Sequence, residues 1–581
     1  MPIFRTILDR LVYNDEYGTI DEPLSDSNAG ARKGRNIRDN IFVMNAVTNS
    51  IINGKEDPID VQIFDVDKCF DALWVEECIN DMFETGFDND KLPLLFLENQ
   101  NALIAVKTPT GISQRIPIKN IIMQGTVWGS LFCTTSMDKL GQFVYNNNEL
   151  LYKYKGQVDI PSLGMVDDIM TIQKCPSDPV KMNAAVNAFI ESKKLTLSSS
   201  KCHRIHIQKN SNHDKECLNL KVHDEVMTDS IQEKYLGDIV DQSGKIRNTV
   251  EDRRNKGYGI VAEILAIVND IPLGKYKMEI GLMLRQAMLL NGVLFNSEAW
   301  HAINESEIRL LEAVDEHLLR SLVGGHSKTP LEFLYLEAGA LPIRFVISCR
   351  RIIYLQTILK RSDEELTKRV WNAQKESPVP GDFYNLVKDD LNMIGEILDE
   401  EEICSVSKDV HKRSIKNKIR IAAFKYLQDK KKEHSKVRDI IYDKLATQKY
   451  MTSPLFHNDE VNLLHAIRSR SIDCKVNFRN KYRNDDLLCN LCRVEEDDQP
   501  HILLCKVLNS KVTSDELVDE PVEYNDVFKE PLKQKVFITM YKRLLEIRKK
   551  LIEESDPSTP TMALETSYNL LPRIVNFSSG N

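Results

Sequence analysis

Leu163-Gly164-Met165-Val166-Asp167-Asp168-Ile169-Met170-Thr171-Ile172 sets two short apolar runs around a pair of acids. Such a pattern predicts a β-hairpin with Asp167 and Asp168 at its turn. Asp-Asp is a common turn dipeptide, because short carboxylates bond their own backbone, so the pair alone decides little. Upstream, Val61-Gln62-Ile63-Phe64-Asp65-Val66 alternates like a strand and puts Val61, Ile63 and Asp65 on one face. An isolated acid at a strand end and two acids at a hairpin tip would make an oxygen cage for divalent ions. Mg2+ takes one or two carboxylates plus substrate phosphates. Two such ions about 4 Å apart can activate a hydroxyl and stabilise a leaving pyrophosphate.

After the first strand, Ala72, Val75, Ile79, Met82 and Phe83 recur at helical spacing, and Gly86 is a plausible stop. Met123-Gln124-Gly125-Thr126 reads as a turn before a helical pattern through Leu140. From about 250 to 450 the pattern is mostly helical, with few Gly or Pro.

The 581 residues suggest about four domains as a soft prior. Gly 24 and Pro 21 are too few for a collagen-like or low-complexity chain. Lys+Arg 77 against Asp+Glu 86 gives a formal charge of −9, which excludes a protein basic all over but not a local basic channel. The 12 cysteines are mostly single and within apolar stretches, as small hydrophobes of a reducing compartment. No run of 18 apolar residues predicts a membrane span, and Arg5, Asp9 and Arg10 interrupt what a signal peptide would need as an apolar core. A nuclear or cytoplasmic location is expected, with no membrane partner.

Five segments come in series: IFDVDKCFD (63–71), MQGTVWGSLF (123–132), LGMVDDI (163–169), LTLSSSKC (195–202) and KYLGDIV (234–240). This series resembles palm motifs A to E of reverse transcriptases, and most closely those of non-LTR, LINE-type, jockey-like retrotransposons. LRQAMLLNGVLFNSEAW (284–300) resembles that family's thumb helix, and LYLEAGALPIRFVISCRRIIYLQ (334–356) its downstream connector. The resemblance covers about residues 2–510.

The resemblance implies roles. Asp65 matches the first metal-binding acid. Asp167 would be the second ligand, with Asp168 supporting. Phe70 matches the bulky residue that disfavours a ribose 2′-hydroxyl. Gln124 and Gly125 match the turn beside the nascent base pair. Lys201 matches the lysine that protonates departing pyrophosphate, and Tyr235, Leu236 and Gly237 match the primer grip. Arg32, Lys33 and Arg35, within Gly30-Ala31-Arg32-Lys33-Gly34-Arg35, resemble a basic fingers motif touching template or primer. Without the family, Phe70 reads equally as core packing, Lys201 as a solvated lysine, Tyr235-Leu236-Gly237 as a strand-to-turn segment, and the arginines as a solvated loop. Two departures stand out. Met165 replaces the Tyr or Phe often found before x-Asp-Asp, and Ser198 or Ser199 an Asn often found before the lysine. The chain also opens at the end of the fingers' first basic motif, so a truncated element is expected, weak or inactive alone while still binding nucleic acid.

Cys489-x2-Cys492-x8-His501-x3-Cys505 offers three thiolates and an imidazole, a set suited to tetrahedral, structural Zn2+. It resembles the Cys/His knuckle of LINE-type proteins. Residues 408–438 carry twelve basic and three acidic side chains. There Ile415, Ile419, Ala422, Ala423, Tyr426 and Leu427 form an apolar stripe, leaving Lys416 and Arg420 among the charges of the other faces. Such a helix, like Arg253, Arg254 and Lys256 further up the chain, can lie on a phosphate backbone or simply face water.

The expected fold is α+β: a right-hand polymerase of partial fingers and palm (1–240) and helical thumb (241–325). A helical connector with the basic helix (326–450), a zinc-knuckle region (451–510) and an acidic, partly disordered tail (511–581) would follow. The expected function is RNA-directed DNA polymerase of a LINE-like element. It would use two Mg2+ ions, with Mn2+ as substitute, structural Zn2+, an RNA template, a DNA primer or target DNA, and dNTPs. A non-catalytic nucleic-acid-binding remnant is the rival of another class, and a viral RNA-dependent RNA polymerase the second enzymatic rival. Nothing in the sequence speaks to oligomeric state.

Overall fold

Asn36 starts the first described helix with a reciprocal cap. Its side chain accepts from Arg38 N at 3.1 Å, and its own N–H donates to Asp39 Oδ2 at 2.9 Å. This helix, α1 (Ile37–Ile52), leads into β1 (Ile59–Phe64). The computed structural model describes residues 24–88, 90–100, 102–118, 122, 127–174, 178–209, 218–271, 274–325, 329–477, 486–512 and 521–555. The N-terminal residues Arg5, Asp9 and Arg10 lie outside that set.

The chain divides into two compact units interleaved in sequence. The first combines residues 1–252, 295–307 and 347–415, the second 253–294, 308–346 and 416–581. The stretch 326–450, read as one connector, therefore contributes to both.

In the first unit, β1 is followed by short helices Cys69–Ala72 and Val75–Glu84, where one helix was expected. Gly86 ends the second with φ +88°, a conformation that favours glycine. Next come α2 (Val127–Asn146), β2 (Leu163–Met165), β3 (Asp168–Lys174), α3 (Asp178–Ser192), β4 (His203–Ile207) and β5 (Thr228–Asp229). The sheet order is β5-β4-β1-β3-β2. β1 is central and antiparallel to both neighbours, with Val61 opposite Ile172 and Ile205.

β1 is more buried than its alternation predicts. Asp60 and Gln62 are fully covered as well as Val61. Both side chains are hydrogen-bonded, as burial favours, although Gln62 Oε1 is left without a partner. Asp60 takes a two-point ion pair from Arg204 at 2.9 Å and 2.9 Å, and Gln62 Nε2 donates to the Pro179 carbonyl at the start of α3. Both faces of β1 are thus covered. The core beside the end of β1 is built from Phe64, Val66, Met82, Leu131, Phe132 and Met182, with Phe70 packed against it.

A second hairpin follows, β6 (Gln232–Tyr235) and β7 (Asp238–Asp241), paired Tyr235 to Asp238. Its two-residue loop is Leu236-Gly237, both with positive φ, as a type I′ turn requires. Trp300 Nε1 donates to Asp238 Oδ2 at 3.0 Å, fixing this hairpin within the unit.

In the second unit a buried carboxylate organises the helices. Glu337 accepts from Arg468 at 2.8 Å and from the hydroxyls of Tyr442 and Tyr450. The segment 511–581, expected as an acidic and partly disordered tail, contains a 25-residue helix, Pro531–Ser555. It is held because Phe537, Ile538, Tyr541 and Leu544 share a helical face and are fully buried. Among the described residues, no helix is long and apolar enough to cross a membrane.

Candidate active site

The register of the central strands brings the three acids to one sheet end. Phe64 pairs with Ile169, so Asp65, the next residue, leaves β1 beside Asp168, the first residue of β3. Asp167 occupies the β2–β3 turn, whose closing pair is Met165 with Asp168. Asp65 and Asp167 are half-buried and Asp168 is exposed at the rim. Desolvation raises the Asp167 carboxyl above the usual range, and the charge of Asp65 adds to it. Asp168 is pushed up to about 6 by desolvation, then by the charges of Asp167 and Asp65. Three carboxylates repelling one another at an open sheet end are the environment that a divalent cation relieves, and their donor set is the one hard cations prefer.

The backbone after Asp65 is tied to the segment before Lys201. Ser198 N donates to the Asp65 carbonyl at 2.9 Å, and Asp67 N to the Thr196 carbonyl at 2.8 Å. These bonds bring Lys201 Nζ within 3.0 Å of Asp65 Oδ2. The hydrogen bond to Asp65 and its charge raise the lysine's pKa, so the ammonium stays protonated.

The hairpin turn is strained. Val166 has φ +64°, a left-handed conformation that β-branched residues avoid; such outliers cost about 1–3 kcal/mol and persist only when surroundings over-determine them. Here they do. Asn28 Nδ2 donates to the Val166 carbonyl at 2.9 Å, and Asn28 Oδ1 accepts from Val166 N at 3.1 Å. Asn40 Nδ2 donates to the Gly164 carbonyl at 2.7 Å. Tyr235 OH donates to the Leu163 carbonyl at 2.7 Å. The sequence reading missed Asn28 and Asn40, because a side-chain amide that binds backbone across more than a hundred residues leaves no periodic signal.

Several expected contacts are corrected. Tyr235 is fully buried with its phenol on the hairpin that carries Asp167, so it is not exposed to a primer; Leu236 and Gly237 form the half-exposed tip of the β6–β7 hairpin. Arg32 is buried and its guanidinium donates to the carbonyls of Ser25, Asn28 and Leu24, closing its own loop. Arg35 is paired with Asp26 at 2.5 Å and with Glu365 at 3.4 Å. Arg253 is buried. These arginines are consumed by the fold, whereas Lys33 is exposed. Arg254 stacks over Tyr258 at 5.8 Å. On the helix Lys408–Lys431, Ile415, Ile419, Ala423 and Leu427 are buried and Lys416 is exposed, while Arg420 donates to the carbonyls of Gly339 and Leu445. Gln124 and Gly125 lie outside the described residues. Phe70 is half-buried in the short helix Cys69–Ala72, five residues past Asp65, its carbonyl accepting from Ile122 N at 2.9 Å.

Cys489, Cys492, His501 and Cys505 place one donor atom each within 4.8 Å of every other. Cys489 Sγ lies 4.0 Å from Cys505 Sγ, and Cys492 Sγ 3.4 Å from His501 Nε2. Tetrahedral zinc with Zn–S of about 2.3 Å would need sulfurs roughly 3.8 Å apart, so the cluster fits. His501 Nδ1 bonds Glu495 at 2.8 Å, which orients the ring with Nε2 toward the thiols. Desolvation opposes ionisation of Cys492, but the backbone N–H groups of Glu495 and Val494 outweigh it and lower the thiol to about 7. The short helix Gln499–Leu504 presents His501, started by Asp498 accepting from His501 N at 2.7 Å.

Residues 5–240 match the sequence model of the family described as reverse transcriptase (RNA-dependent DNA polymerase). The chain thus carries a reverse transcriptase domain, the domain of an RNA-directed DNA polymerase. A search among curated proteins found no match. Among solved structures, the fold is similar to telomerase from Candida albicans in complex with a TWJ fragment of telomeric RNA (TM-score 0.32, 13% identity, covering 68% of this chain and 55% of that one). It is also similar to apo telomerase from Candida tropicalis (TM-score 0.31, 14% identity, covering 67% and 57%). This chain spans little more than half the length of those telomerase chains, and nothing of their activity passes to it at that overall similarity.

Proposed function

We propose that the chain is the RNA-directed DNA polymerase of a LINE-like mobile element, extending a DNA primer on an RNA template from dNTPs. The observation that carries this reading is the convergence of Asp65, Asp167 and Asp168 at one end of the central strands, with Lys201 at 3.0 Å from Asp65.

Asp65 and Asp167 would hold two Mg2+ ions, or Mn2+ in their place, with Asp168 supporting from the rim. Bound there, such ions supply charge neutralisation for the attacking 3′-hydroxyl and the departing pyrophosphate. The protein's own share is placement. The register of β1 and β3 sets the spacing of the acids at the end of the two strands. Lys201, held protonated, stands ready to give its proton to the leaving group. Phe70, five residues past Asp65 in the short helix Cys69–Ala72, would stand against the sugar edge and exclude a 2′-hydroxyl. Gln124 and Gly125 would meet the nascent pair. Lys33, Arg254 and Lys416 are the proposed phosphate contacts.

The Cys489, Cys492, His501 and Cys505 cluster would hold one structural Zn2+, with no position left for chemistry. A nuclear or cytoplasmic site of action follows from this reading. The direct test is primer extension. The protein should copy RNA into DNA with Mg2+ and dNTPs, and lose that ability with Asp65→Asn. An unaffected Asp65→Asn protein would refute the reading.

A further inference from the structure

The turn that carries Asp167 does not hold its own shape. Its central peptide, at Val166, takes a left-handed φ of +64°. The groups that would be open in such a turn are engaged by one side chain from far upstream. Asn28 accepts from Val166 N through Oδ1 and donates to the Val166 carbonyl through Nδ2. The amide thus mimics one strand partner, gripping both polar groups of a single residue. The same Oδ1 accepts from Gly30 N at 2.8 Å, which fixes the amide's orientation and leaves Nδ2 for the carbonyl.

The backbone around Asn28 is itself zipped to the hairpin. Asn28 bridges Gly164 in parallel fashion, with Gly164 N donating to the Ser27 carbonyl at 2.6 Å and Ala29 N to the Gly164 carbonyl at 2.9 Å. Two glycines permit this approach. A Cβ on Gly30 would stand 2.4 Å from Val166 N, and one on Gly164 would stand 3.1 Å from Asn28 Nδ2. Asn28 is buried, so no nucleic acid or nucleotide reaches it.

We infer that Asn28, with Gly30 beneath it, is a positioning residue that holds the Val166–Asp167 peptide in its left-handed turn and so fixes the Asp167 carboxylate relative to Asp65 for cation binding. The inference rests on the polymerase reading of the three acids. A side chain placed by an unstrained turn would not need such a clamp. Here the turn residue is β-branched, and the geometry needed at the neighbouring acid is supplied from outside. Asn40 and Tyr235 hold the preceding carbonyls of Gly164 and Leu163 but do not touch the strained residue. Asn28 alone, among the described residues, is hydrogen-bonded through its side chain to Val166.

The test uses the chain as it stands and Mn2+ as probe, with binding followed by electron paramagnetic resonance and folding by thermal melting. The Asp167-dependent component of Mn2+ binding should weaken about tenfold or more in Asn28→Ala. It should recover in part with Asn28→Gln, which keeps both a donor and an acceptor. Gly30→Ala should move binding in the same direction by pushing directly on Val166 N. Asn40→Ala serves as the comparison, lowering the melting temperature with a smaller change in Mn2+ affinity. If Asn28→Ala and Gly30→Ala melt lower but bind Mn2+ as the parent does, Asn28 is only a structural tie and the inference falls. If the parent shows no Asp167-dependent Mn2+ binding, the polymerase reading falls and this inference with it.

Discussion

Lys201 Nζ stands 3.0 Å from Asp65 Oδ2, the ammonium placed on the acid that would hold a metal. Both groups belong to segments stitched together by backbone bonds, which keep the lysine within reach of the acid. With its charge set against a carboxylate, the lysine offsets some of the repulsion among Asp65, Asp167 and Asp168.

Replacing this lysine should separate chemistry from binding. Lys201→Ala is expected to lower the single-turnover rate of nucleotide addition roughly a hundredfold, at the low end of general-acid contributions. Primer–template affinity should stay nearly constant. Rapid-quench kinetics with nitrocellulose binding would check both, and a loss of affinity matching the loss of rate would make Lys201 an ordinary phosphate contact.

Sugar selection tests Phe70. Its ring is half-buried against the core that includes Val66 and Phe132. Phe70→Val should raise rNTP incorporation relative to dNTP by about tenfold or more, since one hydroxyl then finds room. The ratio of kcat/KM values for paired nucleotides measures it. An unchanged ratio in an active variant would leave Phe70 as packing alone.

The raised pKa of Asp168 has a consequence for stability. A carboxyl near 6 in the folded state and near 3.9 unfolded binds its proton more tightly when folded. Its contribution is therefore most favourable below about pH 4 and is lost as pH rises through about 6. The difference in melting temperature between Asp168→Asn and the parent should thus shift in favour of the variant from pH 4 to pH 7. At pH 8, millimolar Mg2+ should restore the parent more than the variant. A pH-independent difference would mean that folding does not raise the Asp168 pKa.

Zinc should be structural. Protein purified without chelator is expected to carry about one Zn2+ per chain, and the pair Cys489→Ser with Cys492→Ser should abolish it. Chelation should lower the melting temperature, because Arg548 of the helix Pro531–Ser555 is paired to Asp497 within the same Cys/His region, at 2.7 Å. Elemental analysis showing no zinc in folded protein would overturn this assignment.

The palm was legible where chemistry and periodicity coincide. Acids at the ends of apolar runs, as at Asp65 and Asp167, mark strand ends directly, and the Cys489–Cys505 spacing marks a four-ligand set whose atoms do converge. The split of the helix after Cys69 was not legible, because the apolar spacing runs on through the break before Val75. The C-terminal helix was masked by its charge, although Phe537, Tyr541 and Leu544 already show the repeat. Arginine roles were read least well. A cluster such as Arg32 to Arg35 looks free in sequence, and only the three-dimensional chain shows Arg32 folded onto carbonyls and Arg35 onto Asp26.

The most direct measurement is the rate of single-nucleotide addition to a DNA primer on an RNA template with Mg2+. Asp167→Asn keeps size and hydrogen bonding but removes charge. It should lower that rate by roughly a thousandfold or more, equivalent to several kcal/mol of lost transition-state stabilisation. Asp65→Asn should match it, and the double variant should fall little further, because both acids serve one cluster. Asp168→Asn, at the exposed rim, should cost less. Undiminished addition with both Asp65 and Asp167 neutralised would contradict the account.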